Sequence, residues 1–270
     1  MSFLVDAVVI RQEQVGPCFY CMELLAPEIV QKAVSGQFVH VQVNRALEPL
    51  LRRPISIHNV DREKGTLKLL YQVVGLGTEI LSKAVTDQRL SVLGPLGKGF
   101  TLPDSGQKVV VVGGGIGIAP LIFLLKELAA KSISVEVYLG ARSKEFLLAL
   151  QEINSLGFSP KVATDDGSIG YHGQITALVE KDFSDNTALL GQAMVYTCGP
   201  KPMLKSLAKI LLANQISFEV SLEEHMGCGV GACLSCACKI KASNEEGYIY
   251  RHVCVDGPVF SGKEVVWDEA

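Results

Sequence analysis

The chain has 270 residues, 48% of them hydrophobic, with 25 Lys and Arg against 28 Asp and Glu and a formal net charge of −3. That length accommodates two ordinary domains plus a small appendix. The charge balance gives no electrostatic case for nucleic acid or an anionic membrane, and no apolar run is long enough to span a bilayer. The opening M-S-F-L-V-D-A-V-V-I lacks a basic n-region and meets Asp6 early, so it reads as a first strand and not as a signal peptide. Eight cysteines suit a reducing compartment where thiolates bind metal in preference to each other, and a cytoplasmic protein is expected.

Residues 1–101 read as short strands with turn punctuation, at 5–9, 19–24, 37–43, 55–60, 66–73 and 89–93. Several short strands without long intervening helices predict a small antiparallel β-barrel domain. One helix interrupts the series at G-T-E-I-L-S-K-A-V, with Thr78 expected at its N-cap. Cys18 and Cys21 form a C-x2-C, but residues three apart on a strand point to opposite faces, so packing is expected there and not redox chemistry. The run R-R-P-I-S-I, Arg52 to Ile57, puts a fixed cation, a proline and a hydroxyl on one strand. Next to the helix start at Gly77–Thr78, Arg53 could hold a pyrophosphate; a strand-end arginine and an ordinary helix cap is the competing reading, and this segment alone favours it.

From 102 to 222 the texture changes to strands alternating with helical runs: K-V-V-V-V into G-G-G-I-G-I-A-P, L-I-F-L-L-K-E-L-A-A-K, I-S-V-E-V-Y-L, K-E-F-L-L-A-L-Q-E-I, S-P-K-V-A-T, Q-I-T-A-L-V-E, A-M-V-Y-T-C-G-P and P-M-L-K-S-L-A-K-I-L-L-A. That alternation predicts a doubly wound α/β domain with a parallel sheet. Gly113, Gly114, Gly115 and Gly117 open a helix, where unpaired N–H groups and the helix dipole favour a diphosphate. Ile118 stands where the third small residue of G-x-G-x-x-G belongs, so a tight packed turn is the competing reading. Gly140-Ala141-Arg142-Ser143 carries no acid to grip a ribose diol, which leaves NAD against NADP open. Cys198-Gly199-Pro200 ends the last of these strands at the carboxyl edge, where such sheets bind ligands; Cys198 is either a nicotinamide-side residue or a buried small hydrophobe.

The last segment, 223–270, contains E-H-M-G-C-G-V-G-A-C-L-S-C-A-C and then H-V-C-V-D-G-P-V-F. Cys228, Cys233 and Cys236 stand at C-x4-C-x2-C with Cys254 further on, the plant-type ligand run of a [2Fe–2S] cluster. Gly227, Gly229 and Gly231 interleave with the first ligands and let backbone N–H groups turn toward sulfur. A structural zinc site would show two separated C-x2-C knuckles and only Cys233/Cys236 is one, while disulfides would be crowded and need an oxidising compartment. Cys238, two residues past Cys236, is read as a non-ligand.

Together R-P-I-S, G-G-G-I-G-I-A-P and C-G-P resemble the ferredoxin-NADP reductase superfamily. The run G-C-G-V-G-A-C-L-S-C with C-V-D-G-P-V-F, and T-D-D-G-S at Thr164–Ser168, narrows the likeness to the electron-transfer subunits of two-subunit, NAD-linked dihydroorotate dehydrogenase. The resemblance covers essentially the whole chain. It implies FAD held by Arg53, Pro54, Ile55 and Ser56, by Leu70, Tyr71 and Gln72, and by Gly77 and Thr78. It also implies a [2Fe–2S] cluster on Cys228, Cys233, Cys236 and Cys254, with NAD as electron acceptor. The implied partner is an FMN-containing dihydroorotate dehydrogenase catalytic subunit, in a two-plus-two heterotetramer serving pyrimidine biosynthesis. The interval from Cys236 to Cys254 is a few residues longer than is usual for the family, which leaves the hairpin at 239–253 open. Related flavin/iron–sulfur subunits of ferredoxin reductases and hydrogenases share much of the pattern. The histidines at 40, 58, 172, 225 and 252 form no nucleophile–base pattern. A subunit is therefore expected, without a catalytic site for an organic substrate.

Overall fold

Strand β1 (Phe3–Gly16) turns back at Cys18, which takes a left-handed φ of 57°, into β2 (Phe19–Leu25). Cys18 thus lies in the turn, not on a strand as expected, and both Cys18 and Cys21 are free thiols. The short α1 (Pro27–Val30) buries Ile29 and Val30, and β3 (Phe38–Val41), β4 (Arg53–Asp61), β5 (Thr66–Gln72) and β6 (Arg89–Leu96) follow. The six strands close in the order β1-β2-β5-β4-β3-β6, every pairing antiparallel. Alternate residues fill the barrel: Val39 and Val41, Ile55 and Ile57, Leu67 and Leu69 are buried in one apolar cluster, the strand period of two at work. The structure, a computed structural model, describes residues 1–267 except 45, 47, 105 and 186–192.

Helix α2 (Leu76–Ser82) corrects one expectation. Its N-cap is Gly75, and Thr78 lies a turn inside, where its Oγ1 accepts the N–H of Val74 (3.0 Å) and Gly75 (3.3 Å). The threonine satisfies donors ahead of the helix from within its first turn, the reciprocal half of a capping box. A capping residue and this inner partner look alike in sequence.

The second unit is a parallel sheet. Its elements are β7 (Lys108–Gly114), α3 (Ala119–Ala130), β8 (Val135–Ala141), α4 (Leu150–Ser155), β9 (Lys161–Thr164), β10 (Tyr171–His172), α5 (Ile175–Asp185), β11 (Ala193–Cys198), α6 (Lys201–Ala213) and β12 (Ser217–Ser221). The run K-E-F-L-L-A-L-Q-E-I is not one helix: a 3-10 turn at Lys144–Phe146 and a left-handed Ala149 (φ 57°) break it, and only α4 is helical. Phe146 and Leu148 pack instead with the interdomain cluster around Phe19 and Leu70, so tertiary burial overrides a good helical pattern. Helix α3 is apolar from Ala119 to Leu125 because that stretch is buried throughout, and only its last turns carry exposed or half-exposed residues, Lys126, Glu127 and Ala130 among them. Phe123 joins the barrel core, while Leu121, Ile122, Leu124 and Leu125 join the sheet core, each worth about 1.5–3 kcal/mol of burial.

The C-terminal segment adds a hairpin, β13 (Ala237–Lys241) with β14 (Tyr248–His252), and then β15 (Val259–Ser261). Strand β15 pairs antiparallel with β12 and completes the sheet order β10-β9-β8-β7-β11-β12-β15. Gly262 lies flat against the Phe218 ring, which stacks on Trp267. The cysteine-bearing segment is therefore tied to the parallel sheet, and Lys98↔Pro258 bridges it to the end of the barrel. Among the described residues no helix is long and apolar enough to cross a membrane.

Candidate functional site

The glycine loop leaves β7 at Gly114 and passes through a 3-10 turn, Gly115–Ile118, into α3. Gly115 adopts φ +53°, and a Cβ at Gly117 would stand 2.5 Å from the carbonyl carbon and oxygen of Cys198. These two positions accept only glycine without rearrangement, and they press the loop against C-G-P at the neighbouring strand end. Cys198 is fully buried, and burial pushes its thiol well above its ordinary value. Gly114, Gly115, Ile116, Pro200, Met203 and Arg142 line a cavity of about 370 Å³ at the carboxyl edge of the sheet, a size suited to one end of a nucleotide.

The same cavity reaches residues that sequence reasoning passed over. Asp165, at the end of β9, lines it together with Arg142, Gln174 and Thr176. The Asp165 N–H donates to the Ala141 carbonyl (3.1 Å), which joins the third strand end to the second. An acid thus lines the cavity from the strand end next to β8. Only the T-D-D-G-S run hinted at it.

Phe19 and Gln72 line the barrel side of this cavity. Along β5, Leu67, Leu69 and Tyr71 belong to the barrel core, whereas Leu70 joins the interdomain cluster with Phe19 and Ile118. Along β4, Ile55 and Ile57 point inward, so Ser56 and His58 face outward on the alternate side. His58 is held there by the Ala119 carbonyl (Nδ1, 3.0 Å) and Glu152 (Nε2 to Oε2, 2.9 Å). Ser56, His58, Leu70 and Gln72 share the face turned to the sheet, while Tyr71 turns away, its hydroxyl accepting from Gln12 Nε2 (2.7 Å). Arg53 Nη1 donates to the Leu51 carbonyl (2.6 Å), and its guanidinium lies against Gly77, where a Cβ would stand 2.5 Å from Cζ. Strand β4 and helix α2 therefore bring Arg53, Gly77 and Thr78 together, a cation beside a helix start that suits a phosphate group.

The cysteine loop joins β12 to β13. Cys228 Sγ accepts the N–H groups of Val230 (3.4 Å), Ala232 (3.2 Å) and Cys233 (3.4 Å), and Cys254 Sγ accepts that of Gly231 (3.2 Å). Cys233 Sγ accepts the Cys228 N–H (3.4 Å) and lies 3.2 Å from Ser235 Oγ. Gly229 (φ +73°) and Gly231 (φ +81°) make this turn possible. The Ser235 hydroxyl and then backbone N–H groups bring the Cys233 thiol down to about 6. Burial, then the adjacent Cys236 thiol, pushes Cys254 up to about 12. The four sulfurs form two pairs, Cys228 with Cys233 and Cys236 with Cys254. Among the described residues no three His, Cys, Asp or Glu side chains gather as ligands of a single ion. Four thiols in two pairs, fed by inward N–H groups, fit the donor set and the N–H···S bonding of a two-iron cluster. Cys238 stands apart on β13, opposite Arg251, half-buried against the sheet core, and burial pushes its thiol up to about 12.

The family model described as the iron–sulfur cluster binding domain of dihydroorotate dehydrogenase B matches residues 223–266, and that of an oxidoreductase NAD-binding domain matches 111–209. The chain is 48% identical over 268 residues to the electron transfer subunit of dihydroorotate dehydrogenase B (NAD(+)) of Desulforamulus reducens, covering 99% of this chain and 100% of that one. Against the protein of the same name from Geobacillus thermodenitrificans identity is 39% over 260 residues, with 96% of each chain covered. A solved NADH-dependent reduced ferredoxin-NADP oxidoreductase superposes with a TM-score of 0.85 at 28% identity, over 100% of this chain and 92% of that one. An Amycolatopsis cytochrome P450 reductase shares the fold alone, at a TM-score of 0.67 and 24% identity over 80% of this chain and 67% of that one. On its full-length identity and its matched cluster domain, the chain belongs to the family of electron transfer subunits of NAD(+)-dependent dihydroorotate dehydrogenase B.

Proposed function

We propose that this chain passes electrons from an FMN-containing dihydroorotate dehydrogenase catalytic subunit, through a [2Fe–2S] cluster and FAD, to NAD+, in pyrimidine biosynthesis. The observation that carries the reading is the order of the three regions. The cysteine loop packs on β3, which pairs with the R-P-I-S strand β4, and the outward face of the barrel opens into the nucleotide cavity. When bound, a nicotinamide exchanges a hydride, a two-iron cluster single electrons, and a flavin both.

The chain's own residues supply binding and orientation. Arg53, with Gly77 and Thr78 at the start of α2, takes the FAD pyrophosphate. Pro54, Leu70 and Gln72 shape the flavin bed with their side chains; Ile55 and Tyr71, whose side chains fill the barrel, contribute backbone only, and Ser56 hydrogen-bonds the reactive ring edge. Gly113, Gly114, Gly115 and Gly117 bring backbone N–H groups to the NAD diphosphate, and Cys198, Gly199 and Pro200 border the nicotinamide. Cys228, Cys233, Cys236 and Cys254 hold the cluster, and their loop keeps N–H donors aimed at sulfur. Residues 1–101 then form the FAD-binding unit, 102–222 the NAD-binding unit and 223–270 the cluster unit. Next to the exposed Cys233 stand the exposed apolar side chains of Val230, Leu234 and Val255. Such a patch suits a protein interface, and it is where the catalytic subunit docks, two copies with two of this cytoplasmic chain.

The test is an anaerobic visible and EPR spectrum of the purified chain before and after NADH, followed by co-purification. Flavin bands with a cluster signal that NADH reduces, and an FMN protein that reduces this chain with dihydroorotate, are expected. A colourless protein containing zinc overturns the reading. The likeness to the ferredoxin-NADP oxidoreductase over its whole length favours a second reading, a flavin/iron–sulfur subunit serving ferredoxin or a hydrogenase. Recovery of that partner in place of the FMN protein would select it.

A further inference from the structure

His40, on β3, is fully buried, yet neither ring nitrogen has a hydrogen-bond partner among the described residues. A buried polar atom without a partner is costly, so its place needs a reason. Val39 and Val41 on either side fill the barrel, which turns His40 outward. In the antiparallel register His40 lies opposite Pro54 and Phe38 opposite Ser56, so the imidazole is the diagonal neighbour of the flavin-motif serine. On its other side is the cluster loop: a Cβ on Gly229 would stand 2.6 Å from His40 Nδ1. The backbone of His40 is itself fixed, because its carbonyl accepts from Arg52 Nη1 (3.3 Å), which also donates to the Ser91 carbonyl (2.8 Å). The ring interacts with the backbone of Arg52, at the head of the flavin motif, and of Cys228, the first cysteine of the loop. Neither contact meets hydrogen-bond geometry.

We infer that His40 is a positioning residue that latches the cluster loop to the flavin-bearing strand, its Nδ1–H donating to the Cys228 carbonyl once the cluster is in place. Gly229 is glycine for two reasons in this arrangement. Its φ of +73° is left-handed, and a side chain there would displace the imidazole. With Cys228 held from behind, the N–H groups of Val230, Ala232 and Cys233 stay aimed at its sulfur, and such N–H···S bonds raise a cluster's potential. The latch also holds the cluster loop against the barrel strand that borders the flavin bed.

The inference rests on the cluster reading above, and the test separates the two. Wild type, His40→Phe and His40→Gln are purified anaerobically and compared for iron content, EPR line shape and cluster midpoint in a redox titration, with the bound flavin's midpoint as internal control. His40→Phe is expected to keep its iron, broaden the EPR line and lower the cluster midpoint enough to cut the reduced-to-oxidised ratio at a fixed potential about tenfold, about 59 mV for one electron. His40→Gln, which keeps an N–H, is expected to recover most of that shift. An unchanged line and midpoint in His40→Phe, or a Gln variant as altered as the Phe variant, overturns the latch while a wild-type cluster signal leaves the cluster reading standing. No cluster signal in wild type overturns both. Should His40→Phe not accumulate, the smaller His40→Leu removes the same N–H donor without touching the loop. A broadened line and lowered midpoint then support the latch, and unaltered ones refute it.

Discussion

Replacing Gly77 with alanine separates flavin binding from folding. Gly77 lies inside α2 without a left-handed φ, so the helix accepts alanine and gains about 0.5–1 kcal/mol from it. The new Cβ, however, would stand 2.5 Å from Arg53 Cζ and 2.6 Å from Nη2. Carbon contacts settle near 3.5–4.0 Å, so the guanidinium must move by about 1 Å. A charged hydrogen bond weakens steeply over that displacement, and its loss costs about 1.5–3 kcal/mol, or about 10- to 150-fold in FAD dissociation constant. The assay is titration of the deflavinated protein with FAD, followed by flavin fluorescence, alongside thermal unfolding without flavin. The expected result is an apoprotein melting at or above wild type that binds FAD at least tenfold more weakly. Affinity within twofold of wild type would show that Arg53 does not meet the pyrophosphate. An apoprotein melting several degrees lower would refute the packing argument.

Serine at Cys233 or Cys254 is expected to abolish the cluster's visible absorbance, whereas Cys238→Ser retains it; a colourless Cys238→Ser chain would move that residue into the ligand set. Asp165 lines the cavity beside Arg142 and is placed to take a ribose diol, so Asp165→Asn is expected to raise KM for NAD+ about tenfold, the worth of one charged hydrogen bond, and to improve use of NADP+ in steady-state assays; unchanged discrimination would show that Asp165 does not meet the ribose. Glu152 reports on the joint between barrel and sheet. Burial alone would raise its carboxyl, but the hydrogen bond and charge of His58 outweigh burial and hold it below its ordinary 4.5. A carboxylate lowered on folding stabilises above its unfolded value and loses that contribution as pH falls through its folded value. The melting-temperature advantage of wild type over Glu152→Gln is therefore expected to be level from pH 7 to about 5 and to vanish on further acidification; an advantage that persists at pH 3 would refute the pairing.

Much of this protein is written in local pattern. The C-x4-C-x2-C spacing with its interleaved glycines needs only a few consecutive residues to dictate a thiol loop with inward N–H groups; of the three glycines read as free to take positive φ, Gly229 and Gly231 do so and Gly227 does not. The barrel strands follow from period-two alternation, and the parallel sheet from strands that alternate with helices. What misled were places where a distant contact outweighs the local signal. Residues 144–153 read as one helix, yet the interdomain cluster draws Phe146 and Leu148 inward and breaks it at Ala149. Thr78 has the composition of a cap but serves from inside the turn. Val259–Ser261 carries no mark of the sheet it completes, since an edge strand of three residues is defined only by the neighbour it finds.

By itself the sequence determined the thiol spacing, the left-handed turns at Gly229 and Gly231 and the class of each layer, because those depend on backbone freedom, side-chain chemistry and periodicity within a few residues. Only the tertiary structure decided that Asp165 lines the cavity beside Arg142, that Gly77 makes room for Arg53, and that His40 lies between β4 and Gly229. Each of these joins residues far apart in the chain, and such contacts are fixed by how strands pair and layers pack, which no local window contains.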